Sequence, residues 1–228
     1  KFICQMGFEE MMRLYQDGGY MTAAIDSIGK SAGVDLDGLL AGKIFASEVR
    51  GLRETKISVY VKHFALNNQE TVRDVNGLCT FANEQTIREI YLKPFELCVK
   101  EGGANGLMNA YNRIGAEWCG MCPALQMDVT RGEWGFEGNI VTDFFIVGSW
   151  ADNGYMSVQM ALKSGTDLLL TGDGYEVDNP NYLQMNEVEE DVYTQQALKQ
   201  VCKNICFVQS RGSMMEIEYG YGWRGTLF

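Results

Sequence analysis

Four short apolar runs, alternating with longer amphipathic stretches, constrain this chain more than any other feature. The runs are Ile57–Val61, Gly106–Ala110, Asn139–Thr142 and Asp167–Thr171. Each is bounded by polar residues or glycine, as expected of strands covered on both faces. Helical patterns occupy Glu9–Gln16, Leu39–Arg53, Glu84–Glu101, Pro123–Glu133, Tyr155–Lys163 and Val188–Ser210. In Glu84–Glu101, residues Ile87, Ile90, Tyr91, Phe95, Leu97 and Cys98 fall near one face, and Gly102–Gly103 supply a stop. Pro123 suits a helix first turn. Strand and helix alternating over this length predict an α/β fold with parallel strands.

The 228 residues, 46% hydrophobic and 21% charged, suit one large domain or two small ones. They fall slightly short of the roughly 250 residues typical of a complete (β/α)8 barrel. With three prolines, no Pro-rich or Ser-rich linker divides the chain. Thirty acidic residues against nineteen basic ones give a net charge of −11, and no Lys/Arg run exceeds two. That balance argues against nucleic acid and against anionic membrane surfaces as partners. No stretch approaches the roughly 18 apolar residues of a membrane span. The first ten residues do not read as a signal peptide, because acids soon break their apolar segment. Seven cysteines, an odd number, point to reduced thiols and a cytoplasmic setting.

Three segments carry polar chemistry at strand ends. In Tyr60–Glu70 an apolar strand runs into Lys62 and His63, followed by the amides Asn67, Asn68 and Gln69. Active sites of parallel barrels lie where strands exit into loops. Adjacent residues of a regular strand face opposite sides, so Lys62 and His63 reach one ligand only if the strand bends or ends there. His63 is the single histidine, and a lone histidine is more often structural than functional. The second segment is Gly106–Ile114, where Met108 and Tyr111 read as core and the burst Tyr111-Asn112-Arg113 reads as a loop with chemistry. In the third, Glu133–Phe144, a helix turns at glycines into an apolar strand that ends at Asp143. A carboxylate in that position either reacts or binds loop amides.

In order and wording these segments resemble the barrel domain of glycoside hydrolase family 3, over roughly residues 36 to 215. Lys62-His63-Phe64 is similar to its substrate-binding Lys-His-Phe motif, and Glu89-Ile90-Tyr91-Leu92 with Phe95-Glu96 to the helix that follows. Met108 and Tyr111 match its Met-x-x-Tyr-Asn strand. Trp134-Gly135-Phe136-x-Gly138 leading to Thr142-Asp143 resembles the segment that carries the nucleophile, and Gly165-Thr166-Asp167-Leu168 the following strand.

The resemblance implies a (β/α)8 TIM-barrel-like fold, here a partial or truncated barrel. It is preceded by an atypical segment, residues 1–35, and followed by a tail, residues 216–228. It implies a retaining glycoside hydrolase cleaving terminal β-linked sugars, with Asp143 as nucleophile and no cofactor or metal. A second carboxyl group would protonate the leaving oxygen and then activate water. The family takes that group from a domain beyond the barrel; Glu70 and Asp74 are the nearby candidates here. Lys62, His63, Met108 and Tyr111 would line the sugar site. Phe144, standing where a Trp commonly follows the nucleophile, would offer an apolar face. The partner is then a β-glucoside or oligosaccharide. The alternative is a catalytically silent portion that binds sugar or assembles as a homo-oligomer or with a complementing chain.

Cys119-Gly120-Met121-Cys122, next to Trp118, offers a competing thiol redox reading. At a helix start such a pair would lower one thiol pKa. No second cysteine pair stands at zinc-binding spacing. Cys202 and Cys206, four apart on a predicted helix with Val201 and Ile205, read as core.

Overall fold

The computed structural model describes residues 37–55, 58–69, 71, 73, 78–144, 155–170, 188 and 190–211. The predicted helix Glu9–Gln16, Glu70, Asp74 and the tail lie outside the described residues.

The chain enters through helix α1 (Gly38–Arg53), whose start is fixed by Asp37: one carboxylate oxygen accepts from the Leu39 and Leu40 N–H groups, both at 3.0 Å. Strand β1 (Tyr60–Phe64) and the short β2 (Cys79–Thr80) follow. Three pieces then run together as helix α2: Glu84–Thr86, Ile87–Leu92 at the wider π pitch, and Lys93–Lys100. Strands β3 (Gly106–Asn109), β4 (Arg113–Ile114) and β5 (Glu117–Trp118) lead to helix α3 (Ala124–Glu133), again of π pitch. Strand β6 (Asn139–Phe144), helix α4 (Val158–Lys163), strand β7 (Leu168–Leu170) and helix α5 (Val192–Ser210) complete the described order.

The main sheet has the order β1-β3-β6-β7, and every pairing in it is parallel. Tyr60 stands beside Gly106, Gly106 beside Asn139, and Val141 beside Leu168. Parallel neighbours in chain order require helical crossovers, and α2, α3 and α4 lie between the strands accordingly. This is the TIM-barrel-like α/β arrangement, with four strands among the described residues where a closed barrel has eight. The core between sheet and helices contains Phe64, Leu107 and Ile140, each 0% exposed, with Leu92, Leu125, Trp134 and Phe136. Burying each such side chain contributes about 2 kcal/mol. The Phe64 ring meets Phe95 edge-on at 4.9 Å.

Several element boundaries differ from the sequence reading, each for a local reason. Strand β1 is shifted: it starts at Tyr60 and continues through Lys62 and His63, polar residues that end the apolar run but not the ladder. Its register with β3 slips between Val61 and Phe64. Strand β6 extends through Asp143 to Phe144 instead of ending at Thr142. β7 begins at Leu168, after Asp167, and Thr171 lies outside the described residues. Helix α4 starts at Val158, not Tyr155: the Ser157 hydroxyl accepts from Met160 N–H at 3.3 Å, and Tyr155 and Met156 are buried ahead of it. In α2 the wide turns bury Leu92 and leave Ile90 41% exposed, against the regular periodicity. The core face of α5 is Thr194, Val201, Asn204 and Val208; Cys202 and Cys206 are exposed, contrary to their reading as core.

A second, three-stranded sheet β2-β4-β5 was not expected. The polar burst after β3 leads into it: Arg113 and Ile114 pair with Cys79 and Thr80 on one side and with Trp118 and Glu117 on the other. Thr80 Oγ1 donates to the Arg113 carbonyl at 2.6 Å.

Candidate active site

Strand polarity gathers the predicted residues at one end. His63 is the last but one residue of β1, Met108 lies near the end of β3 with Tyr111 just beyond, and Asp143 and Phe144 end β6. All stand at the carboxyl end of the parallel sheet, where the barrel architecture presents ligands with loops and strand termini. Met108 pairs with Val141, and Asp143 is two residues further on. Met108 and Val141 therefore share one face of the sheet.

The Asp143 side chain is 8% exposed, and among the described residues three donors hold its carboxylate. His63 Nε2 stands 3.3 Å and Arg73 Nη1 3.1 Å from Oδ2, and Phe144 N–H donates to Oδ1 at 2.8 Å. A nearly buried carboxylate needs such partners, because desolvation of an isolated charge is expensive. The Arg73 guanidinium lies over the Tyr111 ring, 4.9 Å from its centroid. The Tyr111 hydroxyl in turn donates to the Phe144 carbonyl at 2.9 Å, which ties the loop after β3 to the end of β6. Asn67 Nδ2 sits 3.3 Å from His63 Nδ1, on the far side of the ring. Phe144 is 50% exposed, beside the carboxylate, and Lys62 is exposed next to His63.

Arg73 is the residue that the sequence reading missed. It lies in an aperiodic loop, and nothing in its local spelling marks an arginine that returns to a strand end. The side chains of His63 and Arg73 thus both reach Asp143, and Lys62 lies on the same strand as His63.

A second nearly buried carboxylate shows what a purely structural one looks like. Asp167 accepts from Arg131 Nη2 at 2.6 Å, Ile140 N–H at 2.7 Å and Asn204 Nδ2 at 2.8 Å. Burial pushes its carboxyl up, against the pull of Arg131, Asn204 and the Ile140 amide. It lies at the amino end of the strands, where residues serve stability.

The thiol pair is also structural. Cys119 lies in a short turn (Cys119–Met121), fully buried, with its sulfur 3.5 Å from the Ala65 carbonyl. Burial pushes its thiol up to about 12 and raises Cys122 as well, the reverse of the lowered pKa that redox chemistry uses. Asn112 Nδ2 reaches the same carbonyl at 3.0 Å and the Cys119 sulfur at 3.7 Å, so this corner holds the loop after β1 in place.

A parallel α/β sheet with a carboxylate, two nitrogen donors and an aromatic at its carboxyl end has the layout of a candidate barrel-type site. The chain matches the Glycosyl hydrolase family 3 N terminal domain over residues 34–206, and it belongs to that family. It is 39% identical over 137 residues to β-glucosidase B of Emericella nidulans, covering 60% of this chain and 15% of that one. It is 42% identical over 109 residues to β-glucosidase A of Butyrivibrio fibrisolvens, covering 48% and 13%. Among solved structures, β-glucosidase 3B of Thermotoga neapolitana superposes with a TM-score of 0.67 at 31% identity, over 79% of this chain and 24% of that one. A β-glucosidase of Paenibacillus barengoltzii gives 0.71 at 27%, over 82% and 21%. The chain therefore spans only a small part of the length of these relatives.

Proposed function

We propose that this chain carries the nucleophile of a retaining β-glycosidase acting on terminal β-linked glucosides. Asp143 attacks the anomeric carbon; the carbon–oxygen bond to the leaving group breaks as the bond to the carboxylate forms. A second carboxyl group, about 5–5.5 Å from the first, protonates the leaving oxygen, then takes a proton from the water that releases the sugar. Lys62, His63, Met108 and Tyr111 line the sugar site, Phe144 offers an apolar face, and Arg73 joins this group.

The observation that carries the reading is the Asp143 carboxylate at the carboxyl end of β6, held by Arg73 and His63. That the relatives are named β-glucosidases supports the substrate class. The test is the stereochemistry of p-nitrophenyl β-glucoside hydrolysis, followed by proton NMR. The β-anomer of glucose appears first in a retaining reaction; an α-anomer formed first overturns the reading.

A second reading, a portion that binds sugar or assembles with another chain without turning it over, is favoured by one observation. Among the described residues β1 and β7 each have a strand neighbour on one side only. Glucose binding without turnover, in a chain that elutes as an oligomer, is its signature.

A further inference from the structure

We propose that Asn67 is a positioning residue, which holds His63 as the neutral imidazole with its single proton on Nε2, directed at Asp143. The tautomer stands on geometry alone; its consequence for catalysis rests on Asp143 being the reactive carboxylate.

A neutral imidazole has one donor and one acceptor nitrogen, and the partners decide which is which. On one side His63 Nε2 faces Asp143 Oδ2 at 3.3 Å, an oxygen that only accepts when ionised. On the other side His63 Nδ1 faces Asn67 Nδ2 at 3.3 Å, a nitrogen that only donates. A single ring state satisfies both contacts: hydrogen on Nε2, lone pair on Nδ1. The reversed amide, with its oxygen toward the ring, calls instead for hydrogen on both nitrogens and a charged imidazolium.

The backbone is folded to make this contact. After β1 the chain turns at Ala65 and Leu66, and Leu66 has φ of 62°, a conformation that non-glycine residues seldom adopt. Leu66 is 5% exposed and belongs to the main core, so packing holds the turn and brings residue 67 back over residue 63.

Among the described residues, charged and titratable groups around His63 come from several neighbouring elements. Asp143 comes from β6, Arg73 from the loop beyond Asn67, Tyr111 from beneath Arg73, and Lys62 from β1 itself. Arg73 already supplies one permanent cation to Asp143 Oδ2. With the Asn67 amide donating, His63 adds a hydrogen bond and no second charge. Asn67 thereby decides whether His63 meets Asp143 as a neutral donor or as a cation.

His63 is the single histidine of the chain, so its ring nitrogens can be read without assignment ambiguity. The chain is labelled with ring-15N histidine, and its spectrum is followed against pH for the parent, Asn67→Asp and Asn67→Leu. The expected parent spectrum at neutral pH has a pyridine-type Nδ1 and a pyrrole-type Nε2. Asn67→Asp, close to isosteric, accepts from Nδ1–H and moves ring protonation to higher pH; Asn67→Leu, which removes the donor, moves it the same way by less. Protonated Nδ1 in the parent at neutral pH overturns the proposal, and so does a midpoint unchanged in Asn67→Asp. A loss of thermal stability in Asn67→Leu with an unchanged ring midpoint in both variants marks a merely structural role and also overturns it. The spectra need no turnover. The expected tautomer in a chain that never labels with an activated sugar leaves this inference standing and removes the glycosidase reading. Labelling in a chain with the wrong tautomer does the reverse.

Discussion

Asp143 and Asp167 are equally buried, at 6% exposure each, yet they stand at opposite ends of the same parallel sheet. Asp167 closes the amino end: its carboxylate accepts from Ile140 N–H while its own N–H donates to the Ile140 carbonyl, both at 2.7 Å. Asp143 sits at the carboxyl end of β6, held by the side chains of Arg73 and of His63 on β1. The same residue type thus clamps the sheet at one end and meets charged side chains at the other.

This contrast predicts opposite consequences of removal. Asp167→Ala leaves Arg131, whose side chain is only 14% exposed, without its carboxylate, and also strips the Ile140 amide and Asn204 of an acceptor. The expected loss is about 3–5 kcal/mol in denaturant unfolding. Asp143→Asn keeps the shape and the Phe144 contact and is expected to cost far less stability while removing all sugar labelling. Equal stability losses in the two variants would contradict the assignment.

Arg73 is expected to matter to the reaction rather than to the fold. Arg73→Ala removes a charged donor from Asp143 Oδ2 and the cation above the Tyr111 ring. Losing the group that orients the Asp143 carboxylate is expected to cost about 10² in rate. Arg73→Lys retains charge but not the planar guanidinium, and falls between the parent and alanine. Steady-state rates on an activated β-glucoside test this, and an Arg73→Ala rate equal to the parent's refutes it.

A pH effect is expected where α4 meets α5. Lys163 Nζ donates to Asp191 at 2.6 Å, and Thr194 Oγ1 and Tyr193 N–H add further bonds. The Lys163 bond, followed by that of Thr194, holds the Asp191 carboxyl down at about 2. A depressed carboxylate contributes stability above its unfolded value of about 3.9 and loses it as pH falls toward the folded value. The stability difference between the parent and Asp191→Asn should be constant near neutral pH and shrink between about pH 4 and 2. A difference that grows on acidification has the wrong sign.

The cysteines should divide by burial. Cys79, Cys202 and Cys206 are exposed, whereas Cys98, Cys119 and Cys122 are buried, and burial pushes the first two of these thiols up to about 12. Alkylation of the native chain followed by peptide mass mapping should modify the exposed set first. Fast modification of Cys119 would revive the redox reading.

Much of the fold could be read from the sequence, because Leu107, Ile140 and their neighbours form strands apolar enough to stand out. What escaped was set by tertiary contacts. The ladder of β1 runs through Lys62 and His63, whose polarity masks it. The two-residue strands β2, β4 and β5 are too short to show a period. In α2, Pro94 has no N–H to give the Ile90 carbonyl four residues back, and the wide turns before it shift which side chains reach the core. At the site, Lys62, His63 and Asp143 stand out at strand ends, while Met108, Tyr111 and Phe144 are named only through the family resemblance. Arg73 is in neither group, because the loop that returns it to Asp143 follows no periodicity.

The central claim is that Asp143 is the group that bonds to sugar. The chain is incubated with a 2-deoxy-2-fluoro β-glucoside bearing a good leaving group, and the digest is mapped by mass. The account predicts one fluoroglucosyl adduct on the peptide containing Asp143, absent in Asp143→Ala. A sugar adduct on any other residue, or labelling that survives Asp143→Ala, would contradict it.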